Sequence, residues 1–307
     1  MELLELVSVH SVSQSEPIVY VGGEFVPQSQ ARISVLDHAV LYGDGIFETA
    51  CARNGRIFKL DAHIDRGFRS MAAIALTPPV NREAMQALIV EAVRRNKLTD
   101  AYIKWIITRG SNGRPLMDPT DCAANLIVLV QPYINRASEE RIAQGLHLKT
   151  VAVRRPPGHV LDPQIKSINY LNLVLAKLEA KAAGADEALL LDVHGRICEA
   201  TGCNIFVVRG RRLLTPRHDV LEGVTRETVM EMAPDFGLSP ELAELQLYDA
   251  YTANEIIICS TAGGLLPVVQ IDGRSIGSGA PGPVFRELHA AYEALVTSER
   301  HGTPCMS

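Results

Sequence analysis

Two rhythms of apolar positions run through this chain. Short alternating or continuous apolar runs, punctuated by Gly, Asn-Gly and Asp-Gly, mark strands; apolar residues spaced three and four apart mark helices. Val19-Tyr20-Val21 and Glu24-Phe25-Val26 flank Gly22-Gly23 and read as a hairpin. Residues 34–40 lead into Tyr42-Gly43-Asp44-Gly45-Ile46-Phe47-Glu48-Thr49, where the glycines permit a tight path into a strand that runs on to Arg53. Asn54-Gly55 turns that strand back through residues 57–60. Asp61 is then placed to cap a helix containing His63, Arg66, Phe68 and Met71, which Pro78-Pro79 breaks. Asn81 caps a second helix, to about Arg95, with Ala84, Leu88 and Ala92 on one side. Residues 101–108 and 125–131 are strands, joined by a loop that holds Arg109, Gly110, Gly113 and Arg114.

The second half opens with a short amphipathic turn at 138–144 and a strand at 146–153; Pro156-Pro157-Gly158 then forces an irregular loop. A helical stripe of Leu171, Val174, Leu175 and Leu178 follows, with Gly184 as its stop. Residues 188–191 and 204–208 read as buried strands, 224–232 as a helix, 255–259 as a strand and Asp272-Gly273 as a hairpin turn. A terminal helix spans 283–297, with Leu288, Ala291, Tyr292 and Leu295 as its stripe. The expected organisation is a loose extension over 1–16, a small α+β domain over 17–133, an interdomain loop over 134–140 and a larger α/β domain over 141–307. No internal repeat or low-complexity segment interrupts it.

Composition narrows the class. The chain has 307 residues, 47% hydrophobic and 21% charged, with a net charge of −5 and no long basic run, so a nucleic-acid partner is not expected. No stretch reaches the ~18 apolar residues of a membrane span, and Glu2 and Glu5 stand where a secretory signal needs basic residues. The six cysteines, Cys51, Cys122, Cys198, Cys203, Cys259 and Cys305, form no CxxC pair, which favours buried thiols in a reducing cytoplasm over disulfides or a metal site.

Lys166, in Ile165-Lys166-Ser167-Ile168-Asn169-Tyr170, lies between an apolar loop and an apolar helix. Alone it reads as an ordinary lysine at a helix start; if buried, its amine would lose basicity and become a nucleophile. With Glu199-Ala200-Thr201-Gly202 and Asn204-Ile205-Phe206 downstream, the stretch resembles the core of the class IV aminotransferases, and the likeness extends from about Val19 to about Ile276. That resemblance implies the D-amino acid aminotransferase-like fold type IV, an α+β N-terminal domain followed by an α/β-barrel-like C-terminal one. It implies pyridoxal 5'-phosphate as cofactor, bonded covalently to Lys166 as the catalytic residue. It places Glu199 at the pyridine nitrogen, where a carboxylate keeps the ring protonated, and Tyr170 at the ring oxygen. Three segments fall where the family holds the phosphate: Arg66; Gly223-Val224-Thr225 opening a helix, whose free N–H groups suit an anion; and Thr261 in Ser260-Thr261-Ala262-Gly263-Gly264.

On the substrate side the resemblance implies Phe47, Tyr102, Ala262 and Gly263. Branched-chain members follow Phe-Glu with Gly-Ile-Arg, and here Cys51 replaces that arginine; they carry Tyr-Ile-Arg on a later strand, and here it is Tyr102-Ile103-Lys104. A lysine keeps the charge but loses the two-pronged fit to a carboxylate. Arg114 sits where D-amino acid aminotransferases carry a carboxylate-binding arginine. The implied reaction passes an amino group from an amino acid or primary amine to a 2-oxo acid by a ping-pong mechanism, in a branched-chain-type enzyme open to D-amino acids or R-amines. An aminodeoxychorismate lyase shares the lysine and cofactor, and a non-catalytic cofactor-binding module would share the pocket. Family members are homodimers or larger, so a homodimer is expected.

Overall fold

The computed structural model describes residues 16–134 and 138–306. All but the last residue of the expected N-terminal extension, and positions 135–137 of the expected interdomain loop, lie outside the described residues. The first half folds as written in its turns. Strands β1 (Ile18–Val21) and β2 (Glu24–Pro27) are joined by Gly22 and Gly23, both in the left-handed region at φ 63° and 90°. After the short helix α1 (His38–Tyr42), β3 (Gly45–Arg53) turns at Asn54 and Gly55, φ 51° and 72°, into β4 (Arg56–Phe58). Helix α2 (Leu60–Ala73) begins before the expected Asp61 cap: Lys59 takes the cap position at φ 46°, and no side chain caps it.

Helix α3 (Arg82–Asn96) is capped as read, Asn81 Oδ1 accepting from Ala84 N at 2.8 Å. Its buried face is Met85, Ile89, Ala92 and Val93, because the bulkier apolar side chains gain more from burial than Ala84 does. Strands β5 (Ala101–Ser111) and β6 (Ala123–Pro132) complete this half, in spatial order β4-β3-β5-β6-β1-β2.

The second half contains α4 (Glu139–Gln144), β7 (Leu146–Arg154), α5 (Gly158–Leu161), α6 (Leu171–Ala182), β8 (Glu187–Leu191), β9 (Ile197–Ala200), β10 (Asn204–Arg209) and β11 (Arg212–Pro216). It continues with α7 (Val224–Met232), β12 (Ser239–Ala243), α8 (Leu247–Tyr251), β13 (Glu255–Ser260), β14 (Gly264–Ile271), β15 (Arg274–Ser275), α9 (Pro283–Val296) and β16 (Gly302–Pro304). Its mixed sheet runs β12-β11-β10-β13-β14-β7-β8-β9, with β15 paired to β14. The pairs β7/β8, β7/β14 and β11/β12 are parallel. Its inner strands are buried on both faces, which is why they read as unbroken apolar runs.

Three features differ from the pattern reading. β16 leaves the second sheet and pairs antiparallel with β4, so the last strand completes the first sheet although the pattern places all of 141–307 in the larger domain. Helix α9 opens on Pro283, which has no N–H, and the next two N–H groups, of Val284 and Phe285, donate to the Glu255 carboxylate of β13 at 3.0 and 2.8 Å. On α6, Leu173, Ala176 and Ala180 pack against Val151, Ala188 and Leu190, which leaves the Leu171, Val174, Leu175 and Leu178 stripe facing outward, Leu171 at 71% exposure. Among the described residues no helix is long and apolar enough to cross a membrane.

Candidate active site

The loop from 165 to 170 is stitched to the first sheet. Phe47 N donates to Lys166 O at 2.9 Å, Ile168 N to Gly45 O at 3.1 Å, and Lys166 N to Ser70 Oγ of α2 at 3.2 Å. The Lys166 side chain is thereby held in a cavity of about 290 Å³ between the two sheets, its Nζ 4.4 Å from the centre of the Phe47 ring. Burial, with repulsion from Arg66, brings the amine down to about 8, against the attraction of Glu48 and Glu199. Tyr170 meets Phe47 edge-on at 5.0 Å, and burial pushes its hydroxyl well above the ordinary tyrosine value.

At one end lies a carboxylate. Glu199 is buried on β9, and its Oε2 accepts from Leu221 N at 3.3 Å. Arg155, buried just past β7, brings Nε to 2.7 Å from Glu199 Oε1, off the hydrogen-bond axis and with no other partner for that nitrogen. Burial raises the Glu199 carboxyl above its usual range while Arg155 pulls it back. Leu221 lines the cavity; Glu199 stands behind it.

At the other end is an anion cradle. Helix α7 begins at Val224, and free N–H groups at a helix start favour negative charge. Gly223 is required there: a Cβ would come within 2.0 Å of Asn204 Oδ1, and Asn204 Nδ2 in turn donates to Leu221 O at 2.9 Å. Thr225 is buried with its Oγ1 3.4 Å from the Tyr292 hydroxyl. Arg66 of α2 joins from the other half, donating from Nη1 to Glu222 O at 2.9 Å. Arg226, one turn in, is turned away, bonded to Thr215 Oγ1 and Pro216 O.

The remaining wall follows from strand register. Thr49 pairs with Lys104 and Cys51 with Tyr102 across β3 and β5, so Phe47, Thr49, Tyr102 and Lys104 share the cavity side. Lys104 Nζ lies 4.5 Å from the Phe47 ring centre, and burial lowers its basicity. Thr261 and Ala262, in the turn from β13 to β14, close this side, and Cys51 Sγ donates to Thr261 O at 3.3 Å. Burial raises the Cys51 thiol to about 12, so it is a neutral donor.

Of the residues singled out by sequence, Phe47, Arg66, Tyr102, Lys104, Lys166, Tyr170, Gly223, Val224, Thr225, Thr261 and Ala262 line one cavity. Gly263 lies just behind, its N donating to Ser260 Oγ at 3.1 Å. Arg114 is not part of it: it is exposed on the loop between β5 and β6, its N bonded to Asn112 Oδ1 at 3.1 Å. The pattern reading missed Arg155, Asn204, Tyr292 and Thr201, whose buried Oγ1 has no partner. An arginine between a strand and Pro156-Pro157 was a signal for the first.

Residues 45–271 match the family described as Amino-transferase class IV. A Methanocaldococcus jannaschii protein, provisionally named a branched-chain-amino-acid aminotransferase, is 40% identical over 282 residues, 91% of this chain and 96% of its own. The branched-chain aminotransferase of the thermophilic archaeon Thermoproteus uzoniensis, solved with norvaline, superposes with a TM-score of 0.88 at 30% identity, covering 95% of this chain and 100% of its own. The Thermobaculum terrenum branched-chain amino acid aminotransferase in its PLP form gives a TM-score of 0.87 at 28% identity, covering 96% of this chain and 100% of its own.

Proposed function

The chain belongs to the class IV aminotransferases, and from that membership we propose how its own residues carry the reaction. It is a pyridoxal-phosphate-dependent transaminase of fold type IV. The residues present fit the cofactor: a helix N-terminus whose entry at Gly223 leaves no room for a Cβ beside Asn204, a buried Thr201 hydroxyl without a partner among the described residues, and an amine of lowered basicity face one cavity. When bound, pyridoxal 5'-phosphate supplies the sink for the electron pair left at the substrate α-carbon. We assign Lys166 as the catalytic base and acid that removes and returns the proton at that carbon. Arg66, Gly223, Val224, Thr225 and Thr261 would hold the phosphate, Tyr170 the ring oxygen and Glu199 the ring nitrogen. Lys166 is the observation that carries this reading: a buried amine, fixed through its backbone on both sides, faces a cavity that ends in a helix N-terminus and an arginine.

For the substrate, the Thr261-Ala262 turn and Tyr102 would receive a carboxylate, and Lys104 the distal charge of a dicarboxylic partner such as 2-oxoglutarate; that all four line the cavity supports this. Branched-chain L-amino acids are the proposed donors, after the names of the relatives. A second reading, turnover of D-amino acids or R-amines, draws on Cys51, which puts a neutral thiol on β3 and leaves Lys104 as the cation of that wall. A donor panel with 2-oxoglutarate and pyruvate as acceptors tests both. Turnover is expected with L-valine, L-leucine and L-isoleucine, and measurably with an R-amine; activity confined to the three L-amino acids removes the second reading. Bound cofactor without turnover on any donor removes the first.

We also propose a homodimer. The α6 stripe of Leu171, Val174, Leu175 and Leu178 is exposed, as are Val40 and Tyr42 of α1, which a hydrogen bond from Asn169 Nδ2 to Gly43 O at 2.8 Å ties to the start of α6, and exposed apolar side chains grouped on one helix call for cover. Light scattering should give twice the 33.4 kDa chain mass, and L175E with L178E should halve it. The cysteines of the described residues are all free, which suits a cytoplasmic protein.

A further inference from the structure

The most tightly held side chain of the cavity is Arg66, and Glu48 holds it. On β3, Glu48 lies between two cavity residues, Phe47 and Thr49, so alternation along the strand turns it to the opposite side, toward α2. There Oε1 accepts from Arg66 Nε and Oε2 from Arg66 Nη2, both at 2.7 Å, a two-pronged pair. His63 Nδ1 faces Oε2 at 3.2 Å. Glu48 is fully buried, and despite that burial Arg66 brings its carboxyl down to about 2. Burial pushes the His63 ring toward lower basicity, and its Nδ1 also lies 3.4 Å from Arg66 Nη2, so the ring touches both members of the pair. His63, Arg66 and Ser70 share one face of α2, and Ser70 Oγ accepts from Lys166 N.

A carboxylate bonded to an arginine cancels much of the arginine's charge, a poor arrangement if the task is only to attract a dianion. It suits a different task. The guanidinium has five N–H groups. Glu48 takes two and Glu222 O one, which fixes the plane; the second N–H of Nη1 is left for a ligand, while Nη2 also lies 3.4 Å from His63 Nδ1. We propose that Glu48 is the positioning residue of the phosphate end: with His63 as its second tether it sets the plane of Arg66, and so determines how strongly the enzyme prefers the phosphorylated cofactor while touching neither form. The inference rests on the reading of Arg66 as a phosphate residue.

The test compares dissociation constants of pyridoxal 5'-phosphate and unphosphorylated pyridoxal, by equilibrium dialysis, for wild type, E48Q, R66M, the double variant and H63Q. E48Q should shrink the preference for the phosphorylated form by about 10- to 100-fold, the range for losing a charged hydrogen-bond partner, with pyridoxal binding changed less than about twofold. The double variant should lose no more than R66M alone, because the two residues act as one unit. H63Q should shrink the preference by a smaller factor in the same direction; if E48Q does not fold, H63Q carries the test, and a preference unchanged in H63Q then overturns the proposal. Equal weakening of both ligands in E48Q, or multiplied effects in the double variant, also overturns it. If R66M keeps the preference, the phosphate reading of Arg66 falls first and this proposal with it; if R66M loses the preference and E48Q keeps it, only this proposal falls.

Discussion

Arg155→Met removes the cation beside Glu199 and leaves a buried carboxylate with one backbone partner, Leu221 N. A guanidinium and a carboxylate about 4 Å apart between charge centres interact by ~4 kcal/mol at an effective dielectric of about 20. The burial that raises Glu199 offsets part of this. Taking ~2 kcal/mol as the part of that attraction left after the burial cost, the proton that Glu199 is proposed to share with the ring nitrogen would shift toward the carboxylate, and the ring would be a weaker electron sink. The expected result is a ~30-fold slower removal of the substrate α-proton, read by stopped flow on the first half-reaction with α-deuterated and ordinary donor. Arg155→Lys should recover part of the loss, since it restores charge without the fork. Cofactor content, measured alongside, should stay near one per chain. A proton-removal rate within twofold of wild type in Arg155→Met, at full cofactor content, would refute the idea that Arg155 acts through Glu199.

Lys166→Ala should abolish turnover and covalent cofactor retention after borohydride reduction, while phosphate-dependent binding persists; near-normal turnover removes Lys166 from the role. In apo-protein the rate of covalent cofactor capture should rise with pH and level off above about 8, because the neutral amine is the nucleophile; a rise that continues toward the ordinary lysine value contradicts the buried-amine argument. Glu48 has a folded value near 2 against 4.5 unfolded, so it binds fewer protons when folded; its ~3 kcal/mol is present above pH 4.5 and lost as pH falls toward 2. Acid titration of chemical stability should show that loss in wild type and a flatter profile in Glu48→Gln. Glu255→Ala leaves the Val284 and Phe285 N–H groups unpaired at the start of α9 and should cost ~2–4 kcal/mol in urea unfolding, with cofactor affinity kept; a loss below ~0.5 kcal/mol would mean water replaces the cap.

What the sequence disclosed was local or written in residue type. Gly22-Gly23, Asn54-Gly55 and Asp272-Gly273 each demand positive φ, and all six residues have it. Lys166 and the segments proposed for the phosphate were singled out by likeness to a known family, and the fold brings them to one cavity. The misses are long-range. Arg155 is tied to Glu199 across 44 positions of chain, Glu255 caps a helix some thirty residues on, and β16 returns to a strand formed near the start. None of these leaves a periodic trace. The α6 stripe differs for another reason: apolar spacing marks one face of a helix and does not say what packs on it, and here those residues are exposed. Arg114 was a position matched by likeness alone, and the loop that carries it points it to solvent.

The pairing of β16 with β4 also sets an order of events during synthesis. Until Gly302–Pro304 have left the ribosome, β4 is a bare sheet edge, with its N–H and C=O groups open to any passing strand. The amino-terminal half can collapse around Trp105 and Ile103 early, yet its sheet stays unfinished until residues 302–304 emerge. Stalled or clipped chains would therefore carry an exposed, adhesive border on an otherwise folded unit, a ready substrate for chaperones and proteases. A change within residues 302–304 that blocks this pairing would lay bare the same border, so a three-residue hem keeps that sheet edge closed.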